Sequence, residues 1–290
     1  MRRAFSAFAL ALLCLLASAC SLGRLAYSNP EFAYKEAPPA LAWMVGDYID
    51  LSGGQKDWLH DRVRAAFAWH RAQELPQYER FLDRMLNEAA DGISVEEARG
   101  ANKELREYYN RTLDHVIPDI ADLLLGLDAE QAAHLESRFT RDNQKMVKEA
   151  TEGSAEDRAG VRAKKYLAHI EEFVGPLSES QRAIVVRHAR NYDEAAQLRL
   201  ADRQHRQVET LRMIRTRVSR DEMIAGLHKL LVDTPSWRDP EYRKRLAARD
   251  EELFAMISEL SATLTKEQRT HLQARVRGFM KDMQTLSVQR

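Results

Sequence analysis

Cysteine is nearly missing from this chain. Of 290 residues only Cys14 and Cys20 carry a thiol, and both fall within the first twenty positions. From residue 21 onward there is no disulfide, thiolate metal site or cysteine nucleophile to build with. Glycine and proline are also few, at twelve and eight, and alternating apolar patterns are missing, which sets aside strand-and-turn architectures. Beyond the N-terminus no stretch approaches the roughly 18 apolar residues of a transmembrane helix. Neither sign of charge dominates: 44 Lys and Arg balance 44 Asp and Glu. A dedicated nucleic-acid binder would carry a basic excess, so that class is set aside too. A nucleophile elbow, a P-loop and a His-Glu-x-x-His pair are all lacking. The nine histidines are scattered. Glu130 and His134 lie four apart, but no second ligand set follows, whereas a di-iron bundle needs two Glu-x-x-His pairs and two further Glu. No metal or other cofactor is therefore assigned, and the chain reads as a non-enzyme.

What is present begins at the N-terminus. Arg2 and Arg3 precede an apolar run from Ala4 to Leu16, broken only by Ser6. The small residues Ala17-Ser18-Ala19 then lead to Cys20. This is the layout of a secretory signal peptide. Its end resembles a bacterial lipoprotein lipobox, with Ala17 where Leu is commonest. The resemblance implies cleavage before Cys20 and acylation of Cys20, so that the membrane is reached through an N-terminal lipid. An ordinary signal peptide with an incidental cysteine, or an uncleaved anchor, is the alternative, but the run is short for a bilayer span. Cleavage removes two arginines and no acid, leaving a slight acidic excess. Ser21 stands where Asp would signal inner-membrane retention, which implies the outer membrane, facing the periplasm.

Helix formers dominate the remainder, and apolar residues recur at threes and fours, as in Leu272, Val276, Phe279, Met280 and Met283. The fold expectation is all-α: an elongated helical array with long amphipathic helices. One motif occurs four times: Leu51-Ser-Gly-Gly-Gln55, Leu127-Asp-Ala-Glu-Gln131, Leu177-Ser-Glu-Ser-Gln181 and Leu264-Thr-Lys-Glu-Gln268. Ser52, Asp128, Ser178 and Thr265 are good N-caps. Gln55, Gln131, Gln181 and Gln268 fall at N3, where each can reach back to the cap amide as a capping box. The N4 residues Lys56, Ala132, Arg182 and Arg269 do not suit a hydrophobic staple, so the motif leucines are expected to enter the core. Motifs one and two lie 76 residues apart, and three and four 87 apart. Ser94 and Ser219 start further capped segments 42 and 41 residues after Ser52 and Ser178. The spacing suggests an internal duplication. The expected organisation is a signal peptide (1–19), an irregular lipid-anchored tether ending at Pro38-Pro39 (20–39), a first helical half (40–150), a linker and connecting helix (151–176) and a second half (177–290). A long helix over about 179–217 would span ~58 Å. In the first half Pro76 should kink or break the corresponding helix.

The segment Trp69-His70-Arg71-Ala-Gln-Glu74-Leu-Pro-Gln-Tyr78 combines aromatics, charge and a helix breaker. It reads either as a partner-binding corner made by Trp69, His70, Arg71, Glu74 and Tyr78, or as a kink where Trp69 and Tyr78 pack while Arg71 pairs with Glu74 on the surface. The arginines 182, 187, 190, 199, 203 and 206, interleaved with Asp193, Glu194 and Asp202, read as a solvated face.

The four motifs resemble those of Spy/CpxP-type periplasmic helical proteins, which implies chaperone-like or regulatory work. Nearly the whole chain resembles an uncharacterised family of Gram-negative lipoproteins. That resemblance rests on Leu25-Ala-Tyr27 with Asn29, Asp47-Tyr-Ile-Asp-Leu51 with Gln55, Trp69-His-Arg71 with Glu74-Leu-Pro76 and Tyr78, and Gly175-Pro-Leu177 with Gln181. It carries no activity with it. The expected function is a lipid-anchored periplasmic helical binding protein, chaperone-like in its sharper form. The rival is a structural or assembly lipoprotein that docks one envelope partner. Either way a protein partner or client is expected, and no nucleic acid.

Overall fold

The computed structural model describes residues 30–88, 92–191 and 195–288. The signal segment and Cys20 lie outside them. Among the described residues the chain is all α, an elongated helical array without strands. Its helices are α1 (Pro30–Ile49), α2 (Gly53–Trp69), a π-helical turn (His70–Glu74), α3 (Leu75–Glu88), α4 (Val95–Leu125), α5 (Ala129–Thr151), α6 (Ala155–Val174), α7 (Glu179–Arg190), α8 (Ala196–Arg215) and α9 (Arg220–Leu231). A 3-10 turn (Thr234–Ser236), α10 (Pro240–Ala262) and α11 (Lys266–Val288) complete them.

Two expectations about the backbone need correction, and a third, at Pro76, holds in altered form. The segment 30–39 is not an irregular tether: α1 runs straight through Pro38 and Pro39. Two prolines remove two helical hydrogen bonds, but Leu41, Ala42, Val45, Tyr48 and Ile49 of the same helix are buried, and packing decides the outcome. The long helix over 179–217 is not continuous. α7 ends at Arg190, and α8 starts after Ala195, whose φ of 41° is left-handed and cannot lie inside an α-helix. Before Pro76 the α-helix is interrupted, though the chain stays helical. The π-helical turn immediately before it supplies the local overwidening that accommodates the proline ring.

Two apolar cores organise the array. The larger joins α1, α2, the C-terminal half of α4, α5, α8 and α9, with Leu124 and Leu135 fully buried. The smaller joins α6, α7, α10 and α11 around Val185, Ile184 and Leu260. These cores do not follow the two sequence halves, because α8 and α9 cross into the larger one. Ser94 and Ser219 both cap helices with complete capping boxes. The helices they start differ, however. α4 runs directly into the second motif, whereas α9 stops at Leu231 and a separately capped α10 leads to the fourth.

The motif leucines enter the cores: Leu51, Leu127 and Leu177 are buried, and Leu264 packs on the smaller core. So do the residues eight positions later, Leu59, Leu135 and Val185 fully and Leu272 in part. Leu135→Ala would leave a cavity at the centre of the larger core. A loss of about 2–5 kcal/mol is expected in urea unfolding, and a loss below about 1 kcal/mol would mean that this position is not close-packed.

Candidate functional site

The four motifs make two sites of the same design. Within the first pair, the Gln55 Oε1 accepts from its own cap amide, Ser52 N, at 2.9 Å. Its Nε2 donates to Gln131 Oε1 at 3.2 Å and to the Gly126 carbonyl at 3.0 Å. Gln131 reciprocates. Its Oε1 accepts from Asp128 N at 3.1 Å, and its Nε2 donates to Gln55 Oε1 at 2.7 Å and to the Asp50 carbonyl at 3.0 Å. The second pair repeats every bond. Gln181 and Gln268 accept from Ser178 N and Thr265 N, donate to each other at 2.8 and 2.9 Å, and reach the carbonyls of Thr263 and Pro176. In all four cases the accepting carbonyl belongs to the residue just before the partner motif's leucine.

A left-handed residue shapes two of the four turns, while Gly126 and Thr263 present their carbonyls from right-handed helix ends. Asp50 closes α1 at a φ of 60°, and Gly175 closes α6 at 81°, a value that favours glycine. The capping boxes expected from sequence are present, but each box is only half of a larger bond set. Gln131, Gln181 and Gln268 are buried, so their amides must find protein partners. The spacings of 76 and 87 residues were the signal of pairing. The partner carbonyls had none, since any residue can offer one.

Beside the second pair, the N-terminal ends of α7 and α11 border a cleft of about 500 Å³ whose lining includes Pro176, Ser178, Ser180, Thr265, Glu267 and His271. The Glu267 carboxyl is held below its usual range by its own backbone amide first and then by the Thr265 hydroxyl. Hydroxyls and a carboxylate give this cleft the chemistry to hydrogen-bond a polar group.

The corner from Trp69 to Tyr78 is brought together, but inwardly. His70 lies between two tyrosines, with Nδ1 2.7 Å from the Tyr34 hydroxyl and Nε2 3.2 Å from that of Tyr78. A neutral imidazole accepts at one nitrogen and donates at the other, which satisfies both. Burial depresses the His70 pKa to about 4 despite the nearby Glu74. Burial likewise raises the hydroxyls of Tyr34 and Tyr78. Trp69 stacks on His115 at 3.8 Å between ring centroids. The expected surface pair of Arg71 and Glu74 does not form. Glu74 is buried and takes two bonds from Arg111, at 3.0 and 2.7 Å, while the Arg71 Nε is buried without a hydrogen-bond partner. Tyr34, Arg111 and His115 were not legible in sequence, because they reach the corner from α1 and α4. Among the described residues no group of His, Cys, Asp or Glu is placed to hold a metal ion.

Two measurements test these sites. Gln268→Ala removes a cap bond and also takes a partner from the buried Gln181 amide and from the Pro176 carbonyl, so a loss of about 1–3 kcal/mol is expected, more than a lone capping box would give. A double-mutant cycle of Gln181→Ala and Gln268→Ala should return a coupling of at least about 0.5 kcal/mol, and strict additivity would disprove the pairing. For His70 the folded pKa is depressed, so between pH 4 and 6.5 the unfolded chain binds the extra proton. Its contribution, on the order of 3 kcal/mol, is complete above about pH 6.5 and is lost as pH falls towards 4. His70→Phe should flatten the stability profile in that window, as read by urea unfolding at each pH. A variant whose profile keeps the wild-type slope would show that another group carries it.

The model of one family, described as a family of unknown function (DUF6279), matches residues 47–243. That span includes the first amide pair, the Trp69–Tyr78 corner and the third motif, and stops short of the fourth. The comparison with curated proteins finds no match, and neither does the comparison with solved structures. With more than half of its length matched, the chain belongs to the DUF6279 family of unknown function.

Proposed function

We propose that this protein is a lipid-anchored envelope protein that docks a specific protein partner through its helical surface. The observation that carries the reading is the distribution of exposed apolar side chains. Among the described residues the large ones stand singly, one to a helix: Trp43 on α1, Val147 on α5, Val161 on α6, Val208 on α8 and Val288 on α11. Holding unfolded clients calls for a contiguous apolar surface, and four of these five side chains are valines, which offer little apolar area each. A specific interface needs an aromatic anchor in a polar setting. Trp43 has that character: it is 72 % exposed, and Pro39 and Asp47 flank it at four-residue spacing on the outer side of α1. The lipid anchor and the periplasmic face rest on the Arg2–Cys20 segment alone. α1 begins ten residues after Cys20, so in this reading Trp43 is tethered to the lipid by 23 residues of chain.

The test is photo-crosslinking in cells from a benzoylphenylalanine placed at position 43. One dominant protein adduct is expected, and Trp43→Ala should cut co-purification of that partner by at least about tenfold, the usual cost of losing an aromatic anchor. A diffuse ladder of adducts, together with suppression of light scattering from an aggregating client, would replace docking by client holding.

A further inference from the structure

The arginines of the expected solvated face divide in the structure. Arg182, Arg187 and Arg190 are exposed or half-exposed and pair with Glu171, Glu259 and Glu156. Those on α8 turn inward. Asp202 and Arg206 are both buried and bond to each other, and the other Asp202 oxygen takes the Arg238 Nε at 2.7 Å. One carboxylate thus answers two guanidinium groups, of which Arg206 is 8 % and Arg238 13 % exposed. Arg199, one turn before Asp202, has no ion pair or hydrogen bond among the described residues, and its Nε is buried. Arg203 has a single contact with Asp142 at 3.4 Å, and that carboxylate already accepts from the Tyr48 hydroxyl at 2.7 Å. From α5, Arg138 reaches an Asp47 oxygen, also at 3.4 Å, and lies over the Tyr48 ring at 4.9 Å.

Among the described residues guanidinium therefore exceeds carboxylate along this seam, and around Arg206 and Arg238 the surroundings screen charge poorly. The unpartnered polar atoms match the excess. The Nε groups of Arg138, Arg199, Arg203 and Arg206 are all buried without an acceptor, as is the Gln207 Nε2. These five are donors on the facing helices α5 and α8, where one acceptor, the Asn143 Oδ1, is also buried without a partner. Arg206 is held below the usual arginine range, by burial first and with Arg238 adding to it. Beside it Trp237 offers an aromatic face to Arg206 at 5.7 Å and to Arg238 at 5.6 Å, and stacks on His205 at 4.6 Å. The aromatic face steadies the planar groups but supplies neither negative charge nor an acceptor oxygen.

We propose that the arginine seam of α5 and α8, extended by Arg238 after the 3-10 turn, is a binding site for a phosphate-bearing anion. A phosphate suits it because several oxygens and up to two negative charges can meet guanidinium groups that approach from different helices. A phospholipid headgroup and a soluble phosphate share this chemistry.

The full chain, purified in neutral detergent micelles, is melted with and without inorganic phosphate at ionic strength matched by sodium chloride. Phosphate should raise the melting midpoint by a few degrees, and Arg199→Gln or Arg203→Gln should remove most of that rise. These side chains are half-buried and stand outside the Arg206–Asp202–Arg238 group, so the variants retain that buried pairing. In a second arm the micelles carry phosphatidylglycerol or, as the phosphate-free control, diacylglycerol. Stabilisation by phosphatidylglycerol alone that depends on Arg199 assigns the site to a lipid headgroup. Stabilisation by inorganic phosphate without it assigns a soluble phosphate. A midpoint that neither probe moves beyond its control overturns the proposal, and so does a rise that both variants keep.

Discussion

The reciprocal glutamine pair is the constraint around which the array is arranged. A primary amide has one acceptor oxygen and two donor hydrogens. Here the oxygen serves its own helix start and the partner's amide, while the hydrogens serve the partner's amide and the partner's chain just before its leucine. Each pair therefore fixes two helix starts and two preceding helix ends at one point. The leucine between carbonyl and cap is carried into or against a core by the same geometry. Neutral amides do this without burying charge, which would cost far more in the same setting.

From that constraint the rest of the packing follows. The first pair ties α1 and α2 to α4 and α5, and these helices contribute most of the larger core. The second ties α6 and α7 to α10 and α11, the four helices of the smaller core. Between the two, α4 packs along both α9 and α10, and Arg99 and Arg106 bond to Glu251 and Asp250. Exposed ion pairs of this kind contribute little individually. α11 then returns to pack on α3, on the π-helical turn and on α1, with Leu286 buried at its end. The last of the described helices thus packs on the first.

What the sequence made legible was local. The capping boxes depend on four consecutive positions, so Ser94, Asp128, Ser178 and Ser219 could be read as helix starts directly. The absence of strands followed from periodicity. What failed was decided by contacts distant along the chain. Pro38 and Pro39 read as a helix stop because proline opposes helix locally, yet their helix has a buried face on three other helices. The break at Ala195 was invisible because helix-forming residues lie on either side of it. The Trp69–Tyr78 corner was recognisable as unusual, but its partners Tyr34, Arg111 and His115 come from 36 to 46 residues away. Whether Glu74 would pair with Arg71 or Arg111 depended on which side of a π-helical turn it faced.

The arginines of the second half carry this lesson furthest. Interleaved with acids in the sequence, they satisfy the pattern of a solvated helix face, and on α7 they behave that way. On α8 the same composition is drawn inward, because the break at Ala195 lets α8 pack on α5 inside the larger core, independently of α7. Arg206 and Asp202 are carried in with Leu211 and Ile214. A charge pattern therefore predicts exposure only where the helix is continuous. Once the helix is broken, each fragment turns the face that its own apolar residues demand, and charged side chains sharing that face must find their counter-charge within the fold or from a ligand.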